Sequence, residues 1–233
     1  MSRVAIIAAM KDELEPLVRG WEHQSRNGVD LWGKSNGSNQ WIAACAGAGV
    51  EAAGRAFAEI EQGGTIDRVH SIGWAGALRE EFTPGRVYSV TGIIDARDGR
   101  RWGVEDGRAE CWLVTVDRVA DQREKLRLAA AYGAGLVDME AAAVAHLART
   151  RNIPFHCLKG ISDGVADRLP DFNRFITTHG KFQRSRFLLS ALLRPQHWRS
   201  LVRLGKNSRR AARGLADSLL DVLMHAHPNG DRD

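Results

Sequence analysis

Three carboxylates in this chain stand where a charge needs a reason. Glu13 follows the apolar run Arg3-Val-Ala-Ile-Ile-Ala-Ala9. Glu140 sits inside Val137-Asp-Met-Glu-Ala-Ala-Ala-Val144, and Asp163 ends the mostly apolar stretch Ile153-Pro-Phe-His-Cys-Leu-Lys-Gly-Ile-Ser-Asp163-Gly164. Groups of this kind can exchange protons with a bound reactant, the work of a general acid or base. Each comes near the C-terminal end of a predicted strand, the edge at which α/β sheets hold their ligands, so a parallel sheet would gather all three at one edge. Simpler readings exist. Glu13 and Glu140 would serve as first-turn residues complementing a helix dipole, and Ser162-Asp163 as an ordinary helix cap. The apolar context of Glu140 favours chemistry, because an idle carboxylate there is costly to desolvate.

Other chemistries find less support. Gly47-x-Gly49-x-x-Ala52 formally matches a dinucleotide fingerprint, but Asp67 precedes the strand that ends near Gly73, which puts the carboxylate at the wrong edge of the sheet. A glycine turn for tight strand-to-helix packing is the better reading. There is no His-Glu-x-x-His, no clustered His/Cys spacing and no Gly-x-Ser-x-Gly elbow, so zinc hydrolysis and serine esterase chemistry are unsupported. Cys45, Cys111 and Cys157 lie far apart without a CxxC pair. Cys45 and Cys157 read as small core residues, and the set implies a reducing, cytoplasmic setting without disulfides.

The elements that must position the carboxylates alternate along the chain. Strands are predicted over residues 3–9, 40–46, 68–73, 85–94, 111–116, 135–138 and the stretch that opens at Ile153. Helices are predicted from Met10 to Trp21, from about Val50 to Gln62, from Asp121 to Tyr132 and along the Ala-rich run that begins at Glu140. Gly28 to Asn39 reads as a hairpin region and Asp95 to Gly107 as an exposed loop. This order predicts an α/β three-layer sandwich with a central mixed, mainly parallel sheet and a helical C-terminal extension.

With 233 residues and an apolar fraction of 44%, the chain is long enough for one large domain. No apolar run spans a bilayer, and the N-terminus becomes charged too soon for a secretory signal. The net charge of +5 hides an asymmetry: residues 172–216 hold eleven Lys or Arg and no Asp or Glu, which leaves −3 in each flanking segment. We place a domain over residues 1–194 and a basic amphipathic helical tail over 195–233, divided at Arg194-Pro195. Trp198, Leu201, Leu204, Leu215, Leu219 and Leu223 recur there at near-helical intervals. They fit either helices packed on the core with a solvated basic face or a peripheral membrane contact.

The blocks Ala8-Ala-Met10-Lys-Asp-Glu13, Gly73-Trp-Ala-Gly76, Val137-Asp-Met139-Glu140-Ala-Ala-Ala-Val-Ala145 and Ile161-Ser162-Asp163-Gly-Val-Ala-Asp167 fall in the order and context that resemble the nucleoside phosphorylase/nucleosidase superfamily. The resemblance covers roughly residues 1–190 and is nearest to the 5′-methylthioadenosine/S-adenosylhomocysteine nucleosidases of methionine salvage. It implies hydrolysis of a purine N-glycosidic bond with release of adenine. Asp163 would be the general acid toward N7 and Ser162 would orient it. Glu13 would polarise the attacking water, and Lys159 would stand where an arginine is usual near that water. Met139 and Glu140 would hold the ribose, with Met10, Trp74, Ala75, Gly76 and Val119 also against the substrate. The resemblance further implies no metal or redox cofactor, no nucleic-acid partner, and a homodimer to which residues around Val50 and Phe57 contribute.

The chemistry asks for such an arrangement in its own right. An oxocarbenium-like transition state needs one carboxyl group to protonate the leaving base and another to activate a nucleophile from the opposite face. Ser71 and Trp74 replace the residues with which the superfamily's phosphorylases grip phosphate, which favours water as nucleophile. Val116-Asp117-Arg118-Val119 replaces the usual adenine segment, and no aromatic stacking residue is evident. Hopanoid-associated phosphorylases, a branch acting on an adenosyl lipid, also resemble this chain in their Arg-rich C-terminal extension. They make phosphorolysis of a lipidic nucleoside the alternative. From another class, the competitor is a catalytically silent nucleoside- or nucleic-acid-binding protein, since an Arg-rich helix can contact phosphates.

Overall fold

The computed structural model describes residues 2–37, 39–104, 111–177, 180, 182, 183, 186, 187 and 198–225. The chain begins with β1 (Ser2–Ala8), a single helical turn α1 (Lys11–Leu14), β2 (Glu22–Arg26), β3 (Val29–Asn36), β4 (Asn39–Cys45) and α2 (Val50–Gln62). It continues through β5 (Arg68–Ala77), β6 (Val87–Ser89), β7 (Gly92–Asp95), β8 (Arg101–Gly103), β9 (Trp112–Thr115) and α3 (Gln122–Tyr132). Then come β10 (Leu136–Asp138), α4 (Ala141–Thr150), β11 (Phe155–Asp163) and the long α5 (Trp198–His225).

The strands form one mixed sheet in the order β2-β3-β4-β1-β5-β10-β9-β7-β8, with β11 beside β5 and β6 beside β11. The pairings of β1 with β4 and β5, and of β11 with β5, are parallel, and antiparallel hairpins form the edges. The strand period of two builds the three layers. Ala5 and Ile7 face the side covered by α2 and α4, whereas Val4, Ile6 and Ala8 face the side covered by α1 and α5. Ala52, Ala56, Ala141 and Ala145 are buried, and such small side chains let helices lie close to the sheet.

The C-terminal helix is part of this core. Its Ala211, Ala212, Leu215, Ala216, Leu219 and Leu223 are buried at helical spacing, while Arg199, Arg203, Lys206, Arg209, Arg210 and Arg213 are exposed. A Cβ added to Gly160 on β11 would lie 2.7 Å from the Cβ of Ala211, so α5 rests directly on the strand that ends at Asp163. The division expected at Arg194-Pro195 falls outside the described residues. Among the described residues no helix is long and apolar enough to cross a membrane.

Four expectations change. The helix expected from Met10 to Trp21 is only the turn Lys11–Leu14, because Pro16 cannot donate to the next helical bond; Leu14, Leu17, Val18 and Trp21 are buried nonetheless. The strand expected over 85–94 splits where the chain changes partner, since Val90 N–H bonds Cys157 and Thr91 N–H bonds Cys111. Within the loop expected from Asp95 to Gly107, β8 returns against β7, and residues 105–110 lie outside the described set. Phe57 is 1% exposed within its own chain, so it is a core residue and not a contact for a second copy.

Candidate active site

The site is built on the C-terminal half of β5. Gly73 adopts φ +147, and a Cβ there would lie 2.8 Å from Glu13 Oε1, so glycine is what lets the carboxylate lie on the strand. Glu13 is held by three backbone donors. Its Oε2 accepts from the N–H groups of Ala9 (2.9 Å) and Met10 (2.8 Å), and its Oε1 accepts from Trp74 N–H (2.7 Å). Burial pushes Glu13 above the usual carboxylate range, against the pull of these donors and of Lys159. The Trp74 indole N–H donates to Ser208 O at 3.0 Å and ties this floor to α5.

Asp163 lies opposite Gly76 in the register of β11 with β5. Ser162 Oγ donates to its Oδ1, as the sequence suggested. Its Oδ2 is ion-paired with Lys125 from α3, a contact the sequence did not indicate; Lys125 Nζ also donates to Gly164 O at 2.7 Å.

Glu140 reaches the same place by another route. β10 runs antiparallel to β5, with Leu136 opposite Ala77 and Val137 opposite Gly76, so Glu140 arrives against the direction of β5 and not at a shared parallel edge. Its Oε1 accepts from Gly49 N–H at 2.7 Å. Burial, then the Asp138 charge, pushes Glu140 up to about 8, while Lys159 and the Gly49 N–H pull the other way. Asp138 caps α4 through Ala141 N–H (2.9 Å), accepts from Thr115 Oγ1 (2.7 Å) and pairs with Lys159 Nζ (2.9 Å). Burial alone would lower Lys159; Asp138, Cys157 and Glu140 outweigh it and hold Lys159 above the ordinary lysine range.

Glu13, Glu140, Asp163, Ser162, Met10, Met139, Trp74, Ala75, Gly76 and Val119 all border one cavity of about 1010 Å³. Lys159 does not. It is buried as the counter-ion of Asp138, and its charge acts on both Glu140 and Glu13. Val119 presents its backbone in an unforeseen way: its N–H donates to Asn173 Oδ1 (2.8 Å) and its C=O accepts from Asn173 Nδ2 (3.1 Å). Phe172, Phe182 and Phe187 pack together with ring centroids 5.3–6.3 Å apart and also line the cavity. Among the described residues no cluster of His, Cys, Asp and Glu is arranged to hold a metal ion.

Comparison with known proteins fits this geometry. Residues 111–194 match the family model described as the phosphorylase superfamily. No curated protein sequence matches the chain. Among solved structures, the chain is similar to the 5′-methylthioadenosine/S-adenosylhomocysteine nucleosidase of Helicobacter pylori, with a TM-score of 0.74 and 14% identity over 96% of this chain and 98% of that one. The 5′-methylthioadenosine nucleosidase of Arabidopsis thaliana gives a TM-score of 0.74 and 17% identity over 99% and 98%. The futalosine hydrolase of Helicobacter pylori gives 0.69 and 16% over 94% and 97%. The chain thus has the fold of the nucleoside phosphorylase and nucleosidase superfamily, and its segment 111–194 carries that superfamily's sequence pattern.

Proposed function

We propose that this protein hydrolyses the N-glycosidic bond of a purine nucleoside, a 5′-modified adenosine of the methylthioadenosine or adenosylhomocysteine type, and releases adenine. The observation that carries this reading is the convergence of Glu13, Glu140 and Asp163 on one cavity around Gly73 to Gly76. Asp163, oriented by Ser162, delivers a proton to N7 as the C1′–N9 bond breaks. Glu140 accepts from the ribose hydroxyls, with Met139 against the sugar. Glu13, anchored by three N–H donors and raised by burial, takes a proton from the attacking water. A phosphate dianion at that end would meet the Glu13 carboxylate, which supports water as the nucleophile.

A second reading concerns the 5′ group. Small-molecule sites run to about 300–1,000 Å³, so this cavity has room beyond a methylthio substituent. The surplus is lined by Leu169, Phe172, Phe182, Phe187, Leu201 and Leu204, which suit a long apolar substituent, that of an adenosyl lipid. Free base is measured after incubation with methylthioadenosine, adenosylhomocysteine, adenosine and inosine, with and without phosphate. Base release without phosphate is expected. A strict phosphate requirement moves the reaction to phosphorolysis, and no release from any substrate removes the enzymatic reading.

Glu140 gives this reading a pH signature. Burial raises Glu140 from the ordinary glutamate value of 4.5 to about 8, so the folded protein holds the extra proton between them. The stability this contributes is fully present below about 4.5 and lost as pH rises through about 8. Ribose hydroxyls, by contrast, need the ionised acceptor. KM for methylthioadenosine is expected to fall as pH rises from 6.5 and to level off above about 8; a KM that rises over this range refutes the assignment of Glu140 to the ribose.

A further inference from the structure

Lys125 belongs to no motif, and its neighbours Arg123, Glu124, Leu126 and Arg127 are those of a solvated helix. Yet it is 1% exposed, and its chain reaches across to border the cavity at Gly76, whose added Cβ would lie 3.2 Å from Lys125 Cε. Its ammonium pairs with Asp163 Oδ2 and donates to Gly164 O, while Asp163 Oδ1 accepts from Ser162. Ser162 has one hydroxyl proton for Ala75 O and Asp163 Oδ1; with it directed to Oδ1, Asp163 accepts at both oxygens and has no proton of its own to give. The ammonium beside it does, and the two groups together hold one transferable proton.

Resting on the nucleosidase reading above, we propose that Lys125 is the source of the proton that Asp163 passes to the leaving base. The C1′–N9 bond breaks with its electron pair going to the base, and N7 takes a proton from Asp163. Asp163 takes one from Lys125 Nζ, leaving a neutral amine. Water adds to C1′ and gives its proton to Glu13, Glu13 releases that proton to solvent, and solvent returns one to Lys125, so the sum is nucleoside plus water to base plus sugar. The other charged groups bordering the cavity are Asp12, Glu13, Glu15 and Arg19, Arg118 on the loop before α3, Glu140, Asp138 with its partner Lys159, and Arg209 and Arg213 of α5; Asp167 is engaged by Arg203 and by Gly164 N–H. Lys125 is the cation in contact with Asp163.

The test compares Lys125→Met and Lys125→Arg with the wild type on methylthioadenosine and on 4-nitrophenyl riboside, whose phenolate departs without protonation. K125M is expected to lose about 10²–10⁴-fold in kcat on the nucleoside and less than about threefold on the nitrophenyl riboside. K125R keeps the charge and the buried pair, but a guanidinium does not release its proton, so it should show the same selective loss. The ratio of K125M to wild-type kcat should rise as pH is lowered from about 9 to 6, because acid lets solvent protonate the carboxylate directly. Near wild-type kcat for K125R, equal losses on both substrates, or a pH-independent ratio would each overturn the proposal and assign Lys125 a positioning role. If K125M does not fold, K125R carries the test. A wild-type protein that releases no base fails the nucleosidase reading itself, and the proposal with it.

Discussion

Asp163→Asn is expected to lower kcat for base release by about 10²–10⁴-fold, the range that a positioned acid contributes. Asparagine keeps the volume and an acceptor for Ser162, but it cannot relay a proton. The substitution also has a structural consequence that Asp163 at the end of β11 would not suggest: it leaves Lys125 buried without its counter-charge. Breaking a buried pair from one side costs about 3–5 kcal/mol, so D163N should melt well below the wild type. Activity is therefore compared at a temperature where circular dichroism shows both proteins folded. Adding Lys125→Met to D163N removes the stranded charge, and the double variant should regain much of the stability and none of the activity. Wild-type kcat in folded D163N would show that another group protonates the base.

Lys159→Met carries an equally large expected effect on stability. Lys159 is fully buried at 2.9 Å from Asp138, and it offsets both Asp138 and Glu140. Removing it leaves two carboxylates facing each other behind the ribose position. A loss of about 3–5 kcal/mol is expected, a drop of roughly 10 °C in Tm for a domain of this size. Because Lys159 is among the groups holding Glu140 down, its removal pushes Glu140 further up, so KM at neutral pH should rise as well. Thermal melts of K159M and of K159M with Asp138→Asn check the cause. The second change removes the unpaired charge while Thr115 and Ala141 still have an oxygen to bond, and it should recover part of the loss. An unchanged Tm in K159M would mean that water reaches the pair.

The two lysines mark where sequence and structure part. The alternation of β1, with Val4 and Ile6 against Ala5 and Ile7, fixes a strand covered on both faces, and the small residues of α2 and α4 fix helices that can lie on it. From such patterns the layers and the extent of α2 are legible, because burial along one element is written in its own period. What lies across from an element is not. Lys125 meets Asp163 across 38 positions and Asn173 meets Val119 across 54, and no local spacing marks either pair. Lys159 reads as a cation near the reaction until β10, running antiparallel to β5, brings Asp138 against it. The basic run of α5 fits a packed helix or a membrane face, and the apolar side of that helix is found packed, with Ala211 against Gly160. The sequence by itself determined that Glu13, Glu140, Lys159 and Asp163 would be charged in an apolar setting. Only the tertiary structure decided which of them neutralise one another and which remain facing the cavity, because a buried charge is settled by the partner that reaches it in space.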